Sequence, residues 1–235
     1  MLLEVSNLHA YYGKSHILHG VNFSLESADI VALLGRNGSG RSTTLKAMMG
    51  LVPPNPGSIR LRGQELAGKG AHVIARRGLG YVPEERLVFP NLTVEENLLM
   101  GMQPGAEGAP RWSMEDMYQY FPRLRERRGQ RAGNLSGGEQ QMLTICRTLL
   151  GNPLVLLVDE PTEGLAPMII QVVMDVIRDI HAKGVSVLLV EQKMTMALRV
   201  ASRVMVMGHG EIVFTGTTEE MQAREDIRRD WLEVA

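Results

Sequence analysis

The feature that most constrains this chain is the stretch Gly35-Arg36-Asn37-Gly38-Ser39-Gly40-Arg41-Ser42-Thr43, entered from the apolar run Ile30-Val31-Ala32-Leu33-Leu34. A continuous apolar run of that length reads as a strand covered on both faces. Ser42 to Met49 then reads as a helix. The glycines let successive backbone N–H groups turn inward, and the helix N-terminus adds its positive end, so the stretch suits phosphate oxygens. It fills the phosphate-loop pattern G-x-x-x-x-G-K-[ST], with Arg41 at the lysine position. In that pattern Gly35, Arg36, Asn37, Gly38, Ser39, Gly40 and Arg41 surround the phosphates, Ser42 offers a hydroxyl to Mg²⁺, and Thr43 contacts a phosphate. A glycine turn without a ligand is the bland alternative. The strand before it and the helix after it weigh against that reading.

Two further segments carry chemistry. Leu154-Val155-Leu156-Leu157-Val158-Asp159-Glu160 is an apolar strand with two acids at its carboxyl end, where open parallel sheets bind ligands. Asp159 would hold Mg²⁺ through water, and Glu160 would orient and polarise an attacking water. Asn134-Leu135-Ser136-Gly137-Gly138-Glu139-Gln140 opens a predicted helix. Ser136, Gly137 and Gly138 there expose backbone N–H groups, a second anion site. Ser136 and Glu139 also have the spacing of a capping box, and both roles can hold together.

Around these segments the chain reads as layered α/β. Leu2 to Leu8 and Val21 to Leu25 alternate like half-buried, antiparallel strands. Val155 to Val158 and Val187 to Val190 are buried strands, with an amphipathic helix from Pro167 to His181 between them. That alternation predicts a largely parallel sheet with helices on both faces. Helical patterns dominate from Val94 to Leu150, and a short strand, Glu211 to Thr215, precedes a charged terminal helix. One domain over 1–235 is expected, with a helical subdomain at about 90–150. Lys+Arg is 25 against Asp+Glu 26, a net charge of -1, which disfavours nucleic acid as a partner. Cys146 is the only cysteine, which fits a reducing compartment. The N-terminus lacks signal-peptide features, and no apolar run reaches the 18 or so residues of a membrane helix.

In this order, and across nearly the whole chain, these segments resemble the nucleotide-binding subunits of ABC transporters. The resemblance implies a P-loop NTPase core of ABC type, with a mostly parallel sheet, an N-terminal antiparallel portion and an inserted helical subdomain. It implies ATP and Mg²⁺ as ligands and a head-to-tail dimer in which Ser136, Gly137 and Gly138 of one subunit close over ATP held by the other. Tyr12 resembles the aromatic that stacks on adenine, against the plain reading of a strand tyrosine. Thr162 to Pro167 stands where the family has a dimer-contacting loop. The family's glutamine after the neighbouring strand is here Glu84, a candidate metal contact, and its switch histidine is here Gln192, a candidate γ-phosphate sensor.

Those two departures, with Phe89-Pro90-Asn91-Leu92-Thr93-Val94-Glu95-Glu96-Asn97-Leu98 and Phe121-Pro122-Arg123-Leu124, are similar to the second ATPase subunit of branched-chain amino acid (Liv-type) importers. The implied activity is ATP hydrolysis energising import through dimer closure. The implied partners are permease subunits, a second ATP-binding subunit (the same chain or a paralogue) and, indirectly, a periplasmic solute-binding protein. The implied location is peripheral, on the cytoplasmic face of the plasma membrane. The alternatives are a urea or amide importer, a non-transport ABC ATPase, and a regulatory subunit with weak turnover. A permease is expected to dock around Glu84 to Phe89, and burial of Val88 and Phe89 within their own subdomain is the competing reading.

Arg41 is the residue that fits the pattern least. Lysine acts there as a compact point charge, whereas arginine is a longer planar fork that must move the loop or turn outward. Affinity draws on many contacts, but turnover needs charge where it develops in the transition state. Arg41→Lys is therefore expected to raise ATP turnover more than it changes ATP affinity, measured as kcat and nucleotide Kd with any partner subunit held constant. Equal kcat values would mean that the loop accommodates arginine.

Overall fold

Two long strands, β1 (Leu3–Tyr12) and β2 (Ser15–Leu25), open the chain as an antiparallel hairpin turning at Gly13, whose φ is +59°. They run well beyond Leu2 to Leu8 and Val21 to Leu25. The ladder slips between Val5 and Leu8, Leu8 and His9, and Ala10 and Tyr11, and such irregularities erase the alternation that marks a strand in sequence. The computed structural model describes residues 1–232. The chain forms two units, residues 1–74 with the segment from 186 onward, and residues 75–185.

After the hairpin come β3 (Ile30–Gly35), α1 (Arg41–Met48), β4 (Ser58–Leu61), β5 (Gln64–Glu65) and α2 (Ala71–Arg76). The second unit holds β6 (Leu79–Val82), α3 (Val94–Gly101), α4 (Met114–Tyr120), α5 (Pro122–Glu126), α6 (Gly137–Leu149), β7 (Val155–Asp159) and α7 (Pro167–Ala182). The chain then returns to the first unit with β8 (Ser186–Glu191), α8 (Met194–Ala197), β9 (Arg203–Gly208), β10 (Glu211–Thr217), α9 (Thr218–Ala223) and α10 (Glu225–Trp231).

In the first unit, β2-β1-β4-β5 form an antiparallel sheet. Beside it, β3 is the inner strand between β8 and β9, parallel to both, and β10 runs antiparallel on the far side of β9. All six residues of β3 and all six of β8 are buried, as the apolar runs require. In the second unit β6 and β7 pair in parallel. The parallel pairing and the N-terminal antiparallel sheet agree with the expected fold class. Strand β9 had no sequence expectation, although five of its six residues are buried.

Helix ends follow their local chemistry. Thr93, Ser113, Ser136 and Thr217 each cap a helix through a complete capping box, whose fourth residue is Glu96, Asp116, Glu139 or Glu220. Each cap contributes about 1 kcal/mol. Phe121 and Leu124 are buried at the α4–α5 corner.

The segment before α3 is held by one side chain. Asn97 is fully buried; its Oδ1 accepts from Phe89 N at 2.9 Å, and its Nδ2 donates to Phe89 O at 3.0 Å and Thr93 O at 2.9 Å. Arg147 adds a hydrogen bond to Leu87 O at 2.6 Å and lies 4.8 Å from the centre of the Phe89 ring. Phe89 itself remains 44% exposed and Leu87 60% exposed, while Val88 is half-buried. Burial of Phe89 within its own subdomain is thus not what the fold does. Its backbone is anchored and its ring left at the surface. Asn97→Ala leaves the Phe89 N–H and C=O unpaired and is expected to cost about 2 kcal/mol or more. Thermal unfolding should show a drop of about 4–8 °C; an unchanged Tm would mean water replaces the amide.

Candidate active site

Within the first unit, sheet register decides what stands at the strand ends. Leu34 lies opposite Glu191 of β8, and Gly35 lies opposite Met207 of β9. The start of the glycine loop, Gln192 and the turn after β9 therefore share the carboxyl edge of three parallel strands, the edge where such sheets take ligands.

The loop geometry follows from its glycines. Gly38 at φ +80° and Gly40 at φ +109° sit in the left-handed region, and Gly40 is the N-cap of α1. Ser39 N donates to Arg36 O at 3.1 Å, closing the turn. Gly35 is packed so closely that a Cβ would stand 2.6 Å from both Met207 O and Ser39 Oγ. Arg36, Asn37 and Gly38 are exposed, Ser39, Gly40 and Arg41 are buried, and Ser42 and Thr43 are half-buried. Arg41 is only 4% exposed, and its Nη2 donates to Asn37 Oδ1 at 3.2 Å. The fork folds back along the loop, so of the two outcomes expected, a moved loop or an outward turn, the outward turn is not found. Gln192 is exposed and borders a cleft of about 250 Å³ with Lys193, Met194, Thr195, Arg228 and Leu232.

On the antiparallel sheet, Tyr11 stacks on His16 with ring centres 4.2 Å apart. Tyr12 is 49% exposed at the end of β1, so it is a strand tyrosine whose ring lies at the surface.

The second unit repeats the register logic. Val82 lies opposite Val158 in the parallel β6–β7 pair, so Glu84 and Glu160 each follow two residues beyond a paired position. Asp159 is 1% exposed and accepts a hydrogen bond from the Tyr81 hydroxyl at 3.2 Å. Burial and the Asp159 charge push the Tyr81 phenol well above its ordinary range, so it stays a neutral donor. Glu160 adopts φ +41°, a left-handed conformation that costs a non-glycine residue energy and recurs at functional sites. Glu84 is exposed.

At the head of α6, Ser136 N donates to Glu139 Oε2 at 2.9 Å and Ser136 Oγ accepts from Glu139 N at 3.4 Å. The box leaves the N–H groups of Gly137 and Gly138 without an intrahelical acceptor, as in any first turn. Against the pull of burial, the Ser136 hydrogen bonds hold the Glu139 carboxyl below its usual range, aided by Arg127 at 3.0 Å. Arg86 lies with its guanidinium over Gly137, where a Cβ would collide with it, and donates to Glu163 O at 3.1 Å. The Arg86 carbonyl accepts from the Thr144 hydroxyl of α6. Arg86 thus ties the segment after β6 to the start of α6 and to the loop after Glu160. Sequence reading assigned neither Tyr81 nor Arg86 a role. Tyr81 stands three residues before Glu84, a signal within reach, but the partner of Arg86 is 77 residues away.

Known proteins bear on this geometry. The family model described as ABC transporter matches residues 18–163. The chain is 42% identical over 231 residues to the high-affinity branched-chain amino acid transport ATP-binding protein BraG of Pseudomonas aeruginosa, covering 98% of this chain and 99% of that one. It is 33% identical to the lipopolysaccharide export system ATP-binding protein LptB of Haemophilus influenzae, covering 98% and 97%. A solved ATP-binding subunit of an ABC transporter superposes with a TM-score of 0.80 at 30% identity, covering 98% of this chain and 93% of that one.

Proposed function

The chain belongs to the ABC transporter ATP-binding family, and on that premise we propose that it is the ATP-hydrolysing subunit of a branched-chain amino acid importer. The observations that carry this reading are a glycine cradle at the end of β3 in the first unit and, in the second, a buried Asp159 followed by a left-handed Glu160 at the end of β7. Identity of 42% to a branched-chain amino acid transport subunit, against 33% to a lipopolysaccharide export subunit, favours amino acid transport over the second reading, lipopolysaccharide export.

In this reading, ATP is the substrate. The N–H groups from Gly35 to Thr43 and the Arg41 guanidinium hold its phosphates, and Tyr12 stacks on its base. Ser42 and Asp159 offer hard oxygen donors of the kind Mg²⁺ prefers. The fit is supported by Asp159, a buried carboxylate that accepts a hydrogen bond from the Tyr81 hydroxyl. Mg²⁺ would neutralise charge on the terminal phosphates. Glu84, in the segment after β6, would offer this metal a further carboxylate. Glu160 accepts a proton from the water that attacks the γ-phosphorus, and ADP departs with the electrons of the broken P–O bond. Gln192 reports on the γ-phosphate through an amide, which can donate and accept but carries no charge.

Ser136, Gly137 and Gly138 of a second subunit receive the γ-phosphate and seal the site, so the working unit is a dimer with itself or a paralogue. No helix among the described residues is long and apolar enough to cross a membrane. Our reading gives passage to separate permease subunits, served by a periplasmic binding protein, and places this chain at the cytoplasmic face. The permease meets the exposed Leu87 and Phe89, whose backbone Asn97 and Arg147 fix.

Glu160→Gln is expected to keep ATP binding while lowering hydrolysis by about 10²-fold or more, the range for losing a general base. Light scattering should then show an ATP-dependent dimer. Hydrolysis at the parental rate would remove Glu160 from the mechanism. A photo-cross-linker at Leu87 should label a co-expressed permease; labelling from the exposed Met168 instead would move the docking surface.

A further inference from the structure

Helix α10 reaches both loops that the first unit presents at its strand edge. The Trp231 ring occupies the space beside Gly208, where any Cβ would run into it. His209 meets the same ring edge-on, with centres 5.5 Å apart and planes at 75°. Next in the chain, Gly210 N donates to Ser39 O at 2.8 Å, a direct hold on the phosphate loop. Arg36, the first exposed loop residue, donates from Nη2 to Arg229 O at 3.3 Å. A cleft of about 160 Å³ lies between Arg36 to Ser39, Met207 to His209, and Asp230 with Trp231. Further along, Arg228 and Leu232 border the cleft beside Gln192.

The turn between β9 and β10 is a two-residue hairpin, His209 at φ +47° and Gly210 at φ +82°. Two left-handed residues make a primed turn, which is stiff and follows its strands. One side of this turn holds the loop carbonyl, and the other bears the indole. The loop's own exposed residues, Arg36 to Gly38, bury little that would fix them.

We propose that Trp231 is a positioning residue for ATP binding. Its ring, seated on Gly208, keeps the His209–Gly210 turn in place, and the turn keeps Ser39 and the loop N–H groups in register for phosphate. Removing the indole opens a void into which the turn can relax. The relaxation spreads to donors whose placement matters at the sub-ångström scale. This rests on the reading of the Gly35–Thr43 loop as an ATP site. A helix that merely covers β9 would change the Tm and leave nucleotide affinity alone.

The test measures ATP Kd, by displacement of a fluorescent ATP analogue in the presence of Mg²⁺, alongside the Tm of the full chain and its variants. Trp231→Ala is expected to raise Kd by about tenfold, and Trp231→Phe, which keeps a ring in the seat, by no more than about threefold. Gly208→Ala pushes on the same seat from the other side and should also raise Kd by about tenfold; it carries the test if Trp231→Ala does not fold. Parental Kd in Trp231→Ala or Gly208→Ala, with a lowered Tm, overturns the proposal and leaves α10 as cover. A full loss in Trp231→Phe also overturns it, because packing of a ring would then not be the cause. Failure of the parent itself to bind ATP would instead sink the ATP-site reading, and the two failures are told apart by the parent alone.

Discussion

The position of β3 is the constraint on which the first unit depends. Its residues are buried without exception, and it is hydrogen-bonded to β8 on one side and β9 on the other. A strand covered on both faces and paired on both edges cannot slide, since each step would break two ladders and misplace five side chains. Burial of each large apolar side chain contributes about 1.5–3 kcal/mol, far more than any loop contact at its end. Register is therefore rigid where chemistry is not, and it decides that Gly35, Gln192 and the β9–β10 turn stand level. In the second unit the β6–β7 ladder does the same for Glu84 and Glu160.

Against those strands, the loops hold conformations that the strands alone would not select. Gly38 and Gly40 take left-handed angles at little steric cost, whereas Glu160 takes one at a penalty of about 1–3 kcal/mol. Asp159 carries a second penalty, a charge removed from water. Tyr81 offsets part of it with a neutral hydrogen bond. These two costs fall on adjacent residues at the end of an otherwise apolar strand, and our reading of Asp159 and Glu160 as ATP-site residues gives them a use. Arg41 works in the opposite sense. By folding onto Asn37 it keeps its charge within the loop.

What could be read from sequence was whatever is local and periodic. The buried runs of β3, β7 and β8 and the capped start of α6 were visible because burial and capping write themselves into neighbouring residues. Bulges hid the end of β1 and the start of β2, and β9 went unread because two of its four central apolar residues, Met205 and Met207, carry no strand preference. Site residues that belong to motifs were equally legible. Arg86 and Trp231 were not, because each acts on residues at least 22 positions away, as with Trp231 and His209, and no local rule connects them.

The pairing of β3 with β8 and β9 has a consequence for the chain's birth. Ile30 to Gly35 must wait for Ser186 to Gly208 to be made before its two neighbours exist. At a ribosomal pace of about 5–20 residues per second, that wait lasts about 10–30 s. During it, six apolar residues have no sheet to join, and the intervening segment 75–185 can emerge first and fold around its own β6–β7 pair. The newborn chain thus carries a sticky, unpaired strand for most of its synthesis, which makes it a natural client for a chaperone that binds short extended apolar segments.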